Sequence, residues 1–483
     1  MNKNAIRRRR RGSGGSLSGI LFSASEPGVT FEPWDISTLF QDRAGTTPVT
    51  AAGQSVGLRL DKSQGLRQGP ELVTNGTFDT GIVGWTVTNV VWSAGAASFT
   101  GAPSLSQNMT TTSGVTYRVT VSISGLTGGS LWLRFIGGTA SNTPLFSNGT
   151  TTFLLKSNGN TALLIEQASG AITAGSIDNI SVRELAGNHQ VAVSDAKRGV
   201  YGWMPKTGRR NLLNATDTLS TQSVTVTAVA HTLAFTGTGT VTLSGVSTAG
   251  PLVGTGAGNR VTLTFTPTAG SLTLTVSGSV TLAQLEIGSS ATAYQRVASQ
   301  YDVTEAGVQT CYYVQADGVD DAYVTPTITP NTDKVQVFAG VRRLDNVGYD
   351  VLIETSASFD LNNGTITIGN TANWISGSKG TVAATTSFAA SAPVSAVLTG
   401  LGDISADRAT LRVNGAQVSQ VTTDQGTGNY LAYPAYIYSR GGSANPFNGY
   451  DFGHAVRFGP NLDAATIARV ESLIARNTPE VTL

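Results

Sequence analysis

Cysteine is almost missing from this chain: Cys311 stands alone in 483 residues, so no internal disulfide can form. Stability must then come from core packing, metal or association. Charge is scarce too, at 13% Asp, Glu, Lys and Arg, too little for long solvent-facing helices. Histidine is limited to His189, His231 and His454, which are widely separated. No G-x-S-x-G elbow, H-E-x-x-H helix or P-loop occurs, so hydrolytic, metalloprotease and nucleotide chemistries lack their usual carriers. No run approaches the ~20 apolar residues of a membrane span, so no membrane-spanning segment is expected. Leu17–Ala24 (LSGILFSA) is a glycine-broken run at the low edge of a signal core of about 7–15 residues. Coiled-coil heptads are missing as well.

What the chain has in quantity is glycine (57 residues), threonine and serine, with 40% apolar residues. That mixture favours short strands joined by tight turns, and it supplies enough apolar surface for several cores. The expected fold class is all-β: several antiparallel β-sandwiches of jelly-roll type, with one short C-terminal helix. Net charge is +1, unevenly placed: Lys3 and Arg7, Arg8, Arg9, Arg10 and Arg11 sit in the first eleven residues, leaving 25 basic against 30 acidic groups elsewhere. The body is thus mildly acidic, and nucleic acid is not an expected partner. The arginine run is a candidate anchor to an acidic surface or a contact to nucleic acid; the plainer alternative is a solvated tail.

Period-two patterns locate the modules. In 71–186, Tyr117, Val119, Val121 and Ile123 alternate, as do Leu131, Leu133 and Phe135, giving each strand one buried face. Residues 187–208 read as a basic, turn-rich connector. A second small β-sandwich spans 209–297, with strands at Val261–Phe265, Leu272–Val276 and Val280–Leu282. Residues 1–28 read as tail and linker. In 298–483, Asn414-Gly415 predicts a type I′ hairpin. A helix follows further on, capped by Asp463, with Ile467, Val470 and Ile474 on one stripe, and Pro479 ends it.

Three resemblances carry the functional expectation. Phe31–Asp61 (FEPWDISTLFQDRAGTTPVTAAGQSVGLRLD), resumed at Ala316–Val324 (ADGVDDAYV), resembles a concanavalin A/laminin-G-like domain split into 29–70 and 298–483. Glu71–Trp85 (ELVTNGTFDTGIVGW) and Ile177–Leu185 (IDNISVREL) resemble the first and last strands of jelly-roll carbohydrate-binding modules. Arg209–Asn214 (RRNLLN) and Ala283–Val297 (AQLEIGSSATAYQRV) are similar to module ends in phage and prophage tail proteins. Together they imply a non-enzymatic bacteriophage tail-fibre or peripheral virion protein. It would be assembled in the host cytoplasm, contact other virion proteins and bacterial cell-surface glycans, and form homo-oligomers, with a trimer as the common fibre state. The alternatives are a purely structural decoration protein and a polysaccharide depolymerase. The latter needs only two carboxylates in a cleft, but Glu354 in LIET is isolated in sequence.

Sugar binding needs an aromatic face for the pyranose C–H surface and polar groups for its hydroxyls. If Leu131, Leu133 and Phe135 face inwards, Trp132 and Arg134 point out together as a candidate platform; Trp92 is a further candidate. The alternative for Trp132 is cover by a neighbouring module. The jelly-roll resemblance also implies a structural Ca²⁺ at Thr77, Asp79 and Asp178, where Asp79 replaces the family's longer Glu; ordinary turn carboxylates are the alternative. Asp317, Asp320 and Asp321 read as turn chemistry before metal. Cys311, in a strand-like context, reads as a buried, inert thiol.

Overall fold

The computed structural model describes residues 16–138, 147–207 and 210–483. The architecture is all-β, as the composition predicts, and ends in one helix. The largest unit is a sandwich of a ten-stranded and a nine-stranded sheet, antiparallel except where Val200–Pro205 runs parallel to Asp302–Glu305. Both sheets draw strands from before residue 60, from 190–205 and from beyond 295. Gly28–Phe31 lies along Asn448–Phe458, with Val29 opposite Val456, while Leu58–Arg59 enters the other sheet beside Gln190–Ala192. Between the sheets lies an apolar core including Phe31, Val337, Leu398, Leu411 and Val456.

This core also encloses charge. Arg59 and Asp451 are fully buried and paired at 2.7 Å, and Tyr438 links both, accepting from Arg59 and donating to Asp451 at 2.8 Å each. Arg59 also lies 5.5–5.6 Å from the ring centres of Phe31, Tyr323 and Tyr438. His454 Nδ1 meets Asp451 at 2.7 Å, and its Nε2 meets the Gln190 amide at 2.9 Å. Burial alone would raise the Asp451 carboxyl; His454 and Arg59 hold it well below the usual carboxylate range. Burial depresses His454, so the ring is neutral, donating to Asp451 and accepting from Gln190.

Residues 187–208, expected to be a connector, contribute the strands Gln190–Ala192 and Val200–Pro205, one to each sheet. Their basic and glycine residues hid an alternating apolar pattern too short to register. Likewise Leu17–Leu21, within the expected tail, is a short helix capped by Ser16; its Leu17 and Leu21 pack against Val470 and Ile474 of the C-terminal helix. That second helix, Ala464–Ala475, has the expected Asp463 cap and apolar stripe. Lys206 Nζ closes its end by donating to the carbonyls of Ala475, Thr478 and Val481. Asn414 (φ 47°) and Gly415 (φ 79°) form the two-residue turn between Arg408–Val413 and Ala416–Val421.

The jelly roll is one curled eight-stranded sheet. Ala96–Asn108 pairs with Ala162–Ser169 through one half and with Ala174–Leu185 through the other, which joins the layers. The predicted inward sets are buried: Tyr117, Val119, Val121 and Ile123, and Leu131, Leu133 and Phe135. Its Leu154 and Leu185 meet Leu58 and Leu60 of the large sandwich. The second small unit packs a three-stranded on a four-stranded sheet around Leu233, Phe235, Leu272, Leu274 and Leu285. Leu282 lies within the strand Val280–Ile287, as predicted, at positive φ (49°) and exposed. The following strand, Gln295–Ser299, pairs with Asp302–Glu305 in the ten-stranded sheet.

Removing Asp451's charge would leave the Arg59 guanidinium buried without a counter-ion. Asp451→Asn should therefore cost about 3–5 kcal/mol. Arg183→Ala, at a pair with Glu71 that is partly exposed on both sides, should cost no more than about 1 kcal/mol. Chemical denaturation of both variants checks the contrast.

Candidate functional site

Trp132 and Arg134 lie on the outer face of Ser130–Ile136, opposite the buried Leu131, Leu133 and Phe135. They form no open platform. The Arg134 guanidinium lies over the indole at 4.6 Å from its centre and is paired with Glu166 on the adjacent strand. One indole face is therefore already occupied. Trp92 is 47% exposed on another part of the jelly roll, held by its Nε1 donating to the Phe78 carbonyl at 2.6 Å. Trp85 and Tyr117 belong to the core.

The Thr77, Asp79 and Asp178 set is engaged locally. Thr77 Oγ1 donates to Asp79 Oδ2 at 2.7 Å, and Asp178 accepts from the Asn179 backbone and side-chain amides at 2.7 and 3.1 Å. Asp317, Asp320 and Asp321 bring three carboxylates within 4.8 Å of one another, an arrangement that Ca²⁺ would fit in ligand type. Their hydrogen bonds are those of a turn: Asp317 Oδ1 accepts from the Val319 amide at 2.8 Å, and Asp321 Oδ2 from the Asp317 amide at 3.0 Å. The arginines Arg7 to Arg11 lie outside the described residues.

The histidines and the cysteine are sealed away. His189, His231 and His454 are all buried. Burial lowers His189 to about 4 and raises the Cys311 thiol to about 11, so that thiol stays protonated. Burial also raises Asp321 and Glu354 to about 7 and, against the opposing Arg343 charge, Asp350 to about 6.

The feature that sequence reasoning missed is an aromatic cleft of about 500 Å³ on the large sandwich. Trp203 and Tyr312 are directly opposite each other on the antiparallel strands Val200–Pro205 and Thr310–Asp317. Period two places Tyr201 on the same face. Tyr201 is buried, whereas Trp203 and Tyr312 are half-buried and present their rings to the cleft. The indole of Trp203 stands edge-on to both tyrosines, at 5.9 and 6.1 Å. Trp34 closes another side, its ring against Gly453, where an added Cβ would come within 2.6 Å. Gly453 also has φ of 127°, so both space and backbone require glycine there.

Polar groups stand beside the rings. Asp302 accepts from Trp203 Nε1 at 2.8 Å, and Arg296 donates to both Asp302 oxygens at 3.2–3.3 Å and to Asp217 at 2.8 Å. Rings plus a fixed carboxylate–guanidinium pair can stack on a pyranose and hydrogen-bond its hydroxyls. The alternation of Tyr201 and Trp203 was visible in GVYGWMP, but assigning the segment to a connector concealed it.

The fold thus defines the class: an antiparallel, multi-sandwich β protein with an aromatic cleft on its largest unit. No protein-family model matches the chain, and no curated protein does. Among solved structures, similarity is found to the botulinum neurotoxin serotype D binding domain, at 10% identity and TM-score 0.26, covering 33% of this chain and 41% of that one. Similarity is also found to the CBM40 of Ruminococcus gnavus IT-sialidase bound to α2,3-sialyllactose, at 13% identity and TM-score 0.25, covering 29% and 84%. A botulinum neurotoxin type C structure, from work describing cell entry through two ganglioside molecules, matches at 9% and TM-score 0.28, covering 34% and 42%. The matched part thus spans less than half of the toxin chains.

The buried groups set a pH dependence. An acid whose folded pKa is raised stabilises the fold when protonated, so stability is gained as pH falls through the folded value. Asp321 and Glu354 should raise the melting temperature as pH drops from about 8 to about 6.5. Below that, His189 and His454, depressed by burial, offset these two gains, because the unfolded chain takes up protons they refuse, while Asp350, raised to about 6, leaves a shallower rise. Melting curves should therefore climb and then flatten, and Asp321→Asn should roughly halve the initial slope.

Proposed function

We propose that this chain is a non-enzymatic, glycan-binding virion protein of a bacteriophage or prophage. In this reading it is a tail-fibre-type component that displays β-sandwich modules towards bacterial surface sugars. The single observation carrying the binding role is the aromatic cleft, where Trp203, Tyr312 and Trp34 adjoin the Asp302–Arg296 pair. Aromatic faces take the apolar side of a sugar ring, and the fixed polar pair orients its hydroxyls. The burial of all three histidines and the protonated Cys311 support a binding role over a catalytic one. The phage setting rests on the resemblance of the 209–214 and 283–297 segments to tail-protein modules. Weak sites repeated on a homo-oligomer would gain about 10²–10⁴ in avidity, which suits cell attachment.

Whole-cell adsorption and glycan-array binding of the full chain test this. Trp203→Ala should lower sugar affinity at least tenfold, on the scale of ~1–3 kcal/mol for losing an aromatic contact. Trp132→Ala, whose ring already carries Arg134, should change it less than about threefold. Equal effects of both substitutions would reject the cleft as the binding site.

A further inference from the structure

The charge arrangement around the cleft bears on which sugars it takes, an inference that rests on the glycan-binding reading above. Recognition of a uronic or sialic carboxylate by arginine uses one of two forks, the Nε–Nη2 edge or the Nη1–Nη2 edge. In Arg296 both edges are compromised, because Nε donates to Asp217 Oδ2 at 2.8 Å and Nη1 donates to Asp302 at 3.2–3.3 Å. Protein carboxylates thus occupy the positions that a sugar carboxylate would need.

The second cation nearby is no freer. Asp35, between the cleft residues Trp34 and Ile36, shares Lys62 with Glu32, whose oxygen is 2.7 Å from Nζ against 2.8 Å for Asp35. Each of the two cations is therefore held by two carboxylates, Arg296 by Asp217 and Asp302 and Lys62 by Asp35 and Glu32, and of these groups Arg296 and Asp302 line the cleft itself. Asp302 is partly accessible, with 22% of its side chain exposed, and Trp203 Nε1 and Arg296 hold it in place. A carboxylate fixed in this way is a strong acceptor for sugar hydroxyls.

We propose that the cleft selects uncharged pyranose units and discriminates against glycans bearing uronic or sialic acids. Approach of a sugar carboxylate meets like charge in a partly desolvated site, where repulsion is screened by salt.

Titration of the full chain, followed by tryptophan fluorescence and calorimetry, tests this. The neutral probes are maltotriose, cellotriose, mannotriose, chitotriose and lactose; the anionic probes are oligogalacturonate and 3′-sialyllactose. At least one neutral probe should bind and be lost in Trp203→Ala, with the anionic probes about tenfold weaker or worse at low salt. That gap should shrink as ionic strength rises and in Asp217→Asn, which releases Arg296 Nε. An anionic probe that binds as tightly as the neutral ones, and is lost in Trp203→Ala, overturns the charge selectivity while leaving the cleft as the sugar site. If no probe binds, or binding survives Trp203→Ala, both the selectivity and the glycan-binding reading fall.

Discussion

The buried Arg59–Asp451 pair holds together pieces of chain that are nearly four hundred residues apart. Arg59 arrives with the N-terminal segment, Asp451 and His454 with the last strand, and Gln190 with the segment between the jelly roll and the second small unit. Two charges removed from water are stabilising only when paired and hydrogen-bonded, so these segments must meet in one register. The rings of Phe31, Tyr323 and Tyr438 around the guanidinium add further conditions on that register. Once it is met, the jelly roll and the second unit are looped out between strands of a single sandwich.

The cleft depends on the same closure. Trp34 arrives with the N-terminal segment, Tyr201 and Trp203 with the middle one, and Tyr312 with the C-terminal part. Gly453, which accommodates the Trp34 ring, is two residues from Asp451 in sequence and donates its amide to that carboxylate at 2.8 Å. The buried ion pair and the seat of a cleft aromatic are therefore parts of one bulged stretch of the last strand. Asp217, from the start of the second small unit, adds the outer half of the clamp on Arg296. The inserted unit thereby shapes the polar edge of the cleft.

Local pattern was a dependable guide wherever one strand or one helix settled the matter. The alternation of Leu131, Leu133 and Phe135 correctly placed Trp132 and Arg134 on the outer face, and Asn414-Gly415 correctly announced a tight hairpin. Parity could not reveal that Arg134 would fold back over the indole, because that contact depends on Glu166 from a neighbouring strand. The segment 187–208 was misread for a similar reason. Its strands are short and interrupted by Gly199, Gly202 and Pro205, and their partners lie far away in sequence.

The amino-acid order by itself determined the all-β class, the single-face burial of jelly-roll strands such as Thr116–Thr127 and Ser130–Ile136, and the capped C-terminal helix. Each of these follows from nearest-neighbour periodicity and side-chain chemistry. Only the tertiary structure decided that Trp34, Trp203, Tyr312, Arg296 and Asp302 share a cleft and that Arg59 meets Asp451. Those contacts are fixed by strand pairing between distant segments, and the energy that selects the pairing resides in a core which no single segment can form.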